Sequence, residues 1–162
     1  MSIGDEARAC LILADYANAD AAQKLNLLGG GWQVTALTQA GLTPPQALVT
    51  AIEVPERYSG TEFPVSLALF DEAGGHVKMS TPSGSLEALR IAQLVKAERP
   101  NVPGVLLHAK VWSRVQVILN FANGLPLPAG QSYTWSLEID GYHNPQWRTA
   151  FYVAAPPQPV MG

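Results

Sequence analysis

Chemistry needs side chains that ionise, ligate or attack, and this sequence places few of them at working spacings. The three histidines, His76, His108 and His143, lie 32 and 35 residues apart. None has a second ligand at helical or zinc-knuckle spacing, so no metal site is expected. Asp15 and Asp20 flank a small-residue stretch that could hold a hard cation. Turn-capping carboxylates look the same, and EF-hand spacing is missing. Ser80, Ser83 and Ser85 sit in a loop without a neighbouring histidine, and no G-x-S-x-G elbow occurs. Cys10 stands in the apolar run ACLILA and reads as a small, inert core residue in a reducing compartment. Gly29, Gly30 and Gly31 follow a strand-like run, as a phosphate loop would. They lack the G-x-G-x-x-G and G-x-x-x-x-G-K patterns, and a strand rather than a helix follows. We expect no enzyme active site, no cofactor and no metal.

Aromatic clusters are the better candidates for recognition. Tyr142, His143, Gln146 and Trp147 gather where a hairpin loop is expected. Exposed at the end of a sandwich, they could bind a sugar or a protein. In the competing reading Trp147 plugs the end of the core and Tyr142 packs beside it. Trp112 with Lys110 and Arg114 reads either as a stacking patch for single-stranded nucleic acid or as a core Trp between solvated charges. The tail, AAPPQPVMG, carries Pro156, Pro157 and Pro159. It favours an extended polyproline form and is either a disordered end or an arm that lies on a neighbour.

The elements that must position these residues are strands. In residues 131–139, Tyr133, Trp135, Leu137 and Ile139 alternate with Thr134, Ser136 and Glu138, a period of two with one buried face. Asp140-Gly141 and Asn144-Pro145 interrupt the run, and Trp147, Thr149, Phe151 and Val153 resume it, which predicts a hairpin with a loop of several residues. Residues 7–14 are apolar on both faces and read as a central strand. Residues 15–20 read as a connection, and the glycine triplet within 24–37 as a bulge or sharp bend. Residues 46–54 form the next strand. Residues 62–71 alternate well, and Pro64 argues for an edge position or for the very start of that strand. Residues 76–79 return as a short strand, and 115–121 form another. Residues 86–99 stay ambiguous: composition favours a helix capped by Ser85, yet Leu89, Ile91, Gln93 and Val95 also alternate.

The sum is an all-β chain, a single β-sandwich of about eight strands, Ig-like or jelly-roll-like, over residues 1–154 with a tail at 155–162. At 162 residues the chain fits one domain. Charged residues are only 14%, well below the ordinary quarter. Either other subunits cover large faces, or this is a neutral β-domain of the ordinary kind. A net charge of -3 gives no basic field for nucleic acid. No apolar run is long enough for a membrane span, and the acidic N-terminus does not read as a signal peptide.

Two blocks carry a family resemblance. LILADYANADAAQKLNLLGGGW and LNFANGLPLPAGQSYTWSLEIDG resemble those of an uncharacterised family of small bacterial and bacteriophage proteins. Its members show L-x-A-D, a short spacer and K-L-N-x-x-G-G-G-W, then Y-x-W-x-L-x-I-D-G. The resemblance implies a strand at residues 89–95 and a phage source, and it implies no activity. Together these readings predict a non-enzymatic structural protein that packs on other subunits as a homo-oligomer or larger assembly, such as a phage head decoration or minor capsid protein in a virion. The alternative is a cytoplasmic module that binds a sugar, peptide or small ligand.

Overall fold

The structure is a computed structural model that describes residues 1–107, 111–156 and 158–160. A four-residue helix, α1 (Ile3–Glu6), opens the chain, and the strands follow. They are β1 (Arg8–Ala14), β2 (Tyr16–Ala19), β3 (Leu25–Leu28), β4 (Val34–Ala36), β5 (Gln46–Val54) and β6 (Glu62–Phe70). After them come β7 (Lys78–Ser80), β8 (Leu86–Ala88), β9 (Arg90–Lys96), β10 (Ser113–Phe121), β11 (Gln131–Ile139) and β12 (Tyr142–Ala154). The all-β expectation is therefore met, and residues 86–99 hold two strands. Twelve strands, rather than about eight, are found among the described residues. The excess comes from strands of three or four residues, too short for a two-residue period to register.

Two sheets face each other. One has the order β1-β5-β10 and the other β4-β12-β11-β6-β9. At one side β1 approaches β12. At the other, Glu98 and Arg114 exchange backbone hydrogen bonds of 3.1 and 2.9 Å that tie the two sheets together. The inward faces are those the alternation marks: Phe63, Val65, Leu67 and Leu69 from β6, with Tyr133, Trp135, Leu137 and Ile139 from β11, all buried. Leu11, Leu13, Leu48, Ile52 and Val117 meet them from the smaller sheet. Trp135 is 0% exposed and stacks on Phe121 of the opposite sheet, with ring centroids 5.7 Å apart. Burying a side chain of this size stabilises by roughly 2–3 kcal/mol relative to leaving it wet.

β1 is not central. Among the described strands it pairs with β5 alone and forms an edge of the smaller sheet. Its second apolar face has another cause. The β2–β3 hairpin folds over the outer face of that sheet and builds a small second core from Ala17, Ala47 and Val49, with Leu25 and Ile118 beside them. The chain 15–20 is thus mostly strand rather than connection. The glycine turn after β3 is anchored where Gly31 N–H donates to Leu13 O at 2.7 Å, and Gly29 and Gly31 adopt left-handed φ of 61° and 85°. Farther along the same face the cover ends. Cys10 is exposed there, which corrects the reading of it as a core thiol.

Pro64 lies third in β6, an interior strand of its sheet. Its carbonyl accepts Asp140 N–H at 2.8 Å, just past the last β6–β11 pair, Val65–Ile139. The missing proline N–H thus falls at the last rung beside the Asp140-Gly141 turn, where a strand tolerates it best.

Tyr133 ties a turn to the core: its hydroxyl donates to Pro128 O at 2.6 Å. Burial pushes its phenol above the ordinary value of 10.0, with Asp71 adding a smaller push in the same direction. The folded chain thus holds this proton more tightly than the unfolded one does. The resulting stability is complete below the unfolded value and is lost as pH rises through the folded one. Thermal melts of the wild type should weaken as pH climbs past about 10. Tyr133→Phe should cost about 1 kcal/mol at neutral pH and flatten that alkaline slope. An unchanged slope would place its source elsewhere.

Candidate functional site

The long hairpin turns more tightly than its sequence suggests. Asp140 and Gly141, with φ of 51° and 75°, make a two-residue turn of the kind that matches strand twist. Tyr142 already belongs to β12 and pairs with Ile139. Asn144-Pro145 does break the regular ladder, but the chain never leaves the sheet. His143 faces Glu138 and Arg148 faces Ser136, so residues 144–147 bulge opposite Leu137 alone. Asn144 Oδ1 accepts Gln146 N–H at 2.9 Å inside this bulge, and Pro145 is tolerated because a bulge asks it for no ladder bond.

The bulge splits the four residues that the sequence groups on a loop. Trp147 points inward and is 3% exposed. Tyr142 stands edge-on to it at 5.8 Å between centroids. Tyr142 also abuts α1: Gly4 lies so close that a Cβ there would fall on Ile139 O and Tyr142 Cβ. The helix itself is held by a capping box in which Ser2 N–H donates to Asp5 Oδ2 at 2.8 Å. That bond, and then the Ser2 hydroxyl, holds the Asp5 carboxyl below the ordinary carboxylate range. Gln146 is exposed. His143 points to the outer face of the five-stranded sheet, where its Nε2 is 2.8 Å from Glu138 Oε2, an ion pair whenever the imidazole is protonated. In the tail, Pro156 and Pro159 are exposed, and Pro157 lies outside the described residues.

His143 belongs to a shallow groove of 410 Å³ on that outer face, lined also by Ser66, His76, Arg90, Ser136 and Glu138. The floor is small: Ser66 and Ala68 point outward yet are each only 7% exposed. Arg90 lies back across them and donates Nε–H to Ser66 Oγ at 2.7 Å, its stem covering the floor while its head stays polar. His76 packs on Phe70 at 4.5 Å at one end. His76 apart, these partners do not stand out in sequence, because they are the polar halves of alternating strands and read as a wetted face. Strand pairing alone brings them together.

The other candidates have structural duties. A larger groove of 830 Å³ lies against α1 and is lined by Glu6, Arg8, Glu56, Arg57 and Trp112. Its charges are already engaged: Arg57 pairs with Glu6, and the Arg8 guanidinium sits 4.1 Å over the Trp112 ring. Arg114 pairs with Glu53, so the stacking patch around Trp112 is occupied from within. Lys110 lies outside the described residues, as does His108. Asp20 Oδ1 accepts Ala22 and Lys24 N–H at 2.8 and 2.9 Å, a turn cap. Thr81 Oγ1 lies 2.8 Å from the hydroxyls of Ser83 and Ser85, which serve the turn between β7 and β8. Among the described residues, no group of three or more His, Cys, Asp or Glu converges as metal ligands would. No helix among them is long and apolar enough to cross a membrane.

Both sequence blocks fall within this sandwich, at residues 11–32 and 119–141. A family model, described as a family of unknown function (DUF6941), matches residues 9–154. The chain belongs to DUF6941. No curated protein matches it. The match begins in β1 and ends with the last residue of β12, so the DUF6941 unit comprises both facing sheets and excludes the proline-rich tail.

Trp147 and His143 should respond in opposite ways. Trp147→Ala should cost about 3–5 kcal/mol in urea unfolding, whereas His143→Gln should stay within about 0.5 kcal/mol of wild type. A stable Trp147→Ala protein would put that indole on the surface.

Proposed function

We propose that this protein is a non-enzymatic interaction module that packs on neighbouring subunits through exposed sheet faces. One observation carries the reading: two cross-strand pairs leave both members open to solvent. Tyr16 faces Leu28 in the β2–β3 hairpin, at 52% and 67% exposed. Val34 faces Tyr152 between β4 and β12, at 64% and 41%. Single apolar residues on a surface need no explanation. Paired ones on rigid strands form small, ordered, water-facing patches that association would cover. The low share of charged residues supports the same reading. In its narrower form the module is a virion component of a bacteriophage, a head decoration or minor capsid subunit, and the proline-rich tail is an arm laid on the adjacent copy.

A second reading, a module that binds a small ligand or peptide, is favoured by the groove at His143.

Sedimentation over a concentration series tests the first reading. The wild type should shift to dimers or larger species, and Leu28→Lys with Tyr152→Lys should remain monomeric with an unchanged circular dichroism spectrum. A monomer at every concentration, with no affinity for phage particles, would defeat it.

A further inference from the structure

We infer that the outer face of the five-stranded sheet holds an oxyanion, a carboxylate or phosphate group, between Arg90 and Arg148. The chain has six arginines. Arg57, Arg99 and Arg114 pair with Glu6, Glu56 and Glu53, and Arg8 covers the ring of Trp112. Among the described residues, Arg90 and Arg148 have no carboxylate in ion-pairing range, and both belong to this one face.

Strand register aligns them. Arg90 faces Ala68, Ala68 faces Ser136, and Ser136 faces Arg148, one continuous row across β9, β6, β11 and β12. Three strand spacings of about 4.8 Å put the two Cα atoms about 14 Å apart, a gap that two extended guanidinium arms can close from either side. Between them the row offers only a methyl and a hydroxyl. Arg90 lies over the methyl end, held by its Nε–H bond to Ser66 Oγ at 2.7 Å, and a ligand meets small side chains from there to Ser136. The adjoining row contributes Ser66, Glu138 and His143. There the single carboxylate of the groove, Glu138, is turned to the imidazole at 2.8 Å and makes no ion pair with Arg90 or Arg148, so two guanidinium charges outnumber one carboxylate. In a chain of net charge -3, two unanswered arginines flanking a small-residue floor are a local anion trap.

This site stands apart from the assembly reading: a strict monomer that binds the anion would sink that reading and keep this one. The test is amide chemical-shift titration of the intact chain with inorganic phosphate and, separately, with malonate. Saturable shifts confined to β6, β9, β11 and β12 are expected. Arg90→Gln and Arg148→Gln should each weaken binding about ten-fold, and Arg57→Gln, remote from the row, should not. Saturation by phosphate alone or by malonate alone would name the chemistry of the natural group. Shifts that scatter or never saturate, or binding by the Arg90 and Arg148 variants as tight as that of the wild type, would overturn the inference.

Discussion

The contact between Trp135 and Phe121 fixes the spacing of the two sheets. Trp135 comes from the middle of β11 and Phe121 from the end of β10, so their stacking locks one sheet against the other at one depth. The neighbouring aromatics extend this layer: Phe151 lies against Tyr133 on one side and edge-on to Trp32 on the other. With the layer set, every outward residue of β6 and β11 has its position determined too, because a regular strand cannot turn one face inward without turning the next residue outward. The bulge of β12 resets that alternation, so that His143 joins the outer face while Trp147 enters the core. The groove is thus a by-product of the core's registration.

The parts of this architecture legible in the sequence were those written in runs of nine residues. β5, β6, β10 and β11 each span nine, and two of them alternate almost without exception. β1 misled because a run of apolar residues carries no label saying what covers its second face. Sheet neighbours and a folded-back hairpin leave the same trace in composition. The hairpin misled for a related reason. Asn144-Pro145 is a sound turn signal, but the same residues serve a bulge, and only the partner strand decides which.

The candidate groove was legible only in fragments. His143 drew notice as one of a cluster, but its neighbours in space are Glu138, Ser66 and Arg90, which reach it across strand pairs. Arg90 in particular lies in a stretch whose composition favours a helix, and a helical reading would have carried it off this face altogether. Chemistry spread one residue per strand leaves no local motif, since the spacing that matters is perpendicular to the chain.

Among the described residues β9 closes the larger sheet, with no strand beyond it. Its seven residues begin with Arg90 and end with Lys96. Were a second copy to add itself antiparallel along this rim, arginine would meet lysine at both ends, and like charges directly opposite resist such zipping. At the far rim β4 offers only three residues, too little backbone to template a newcomer. Growth by endless strand addition, the route to fibres, is therefore blocked at both borders of this sheet.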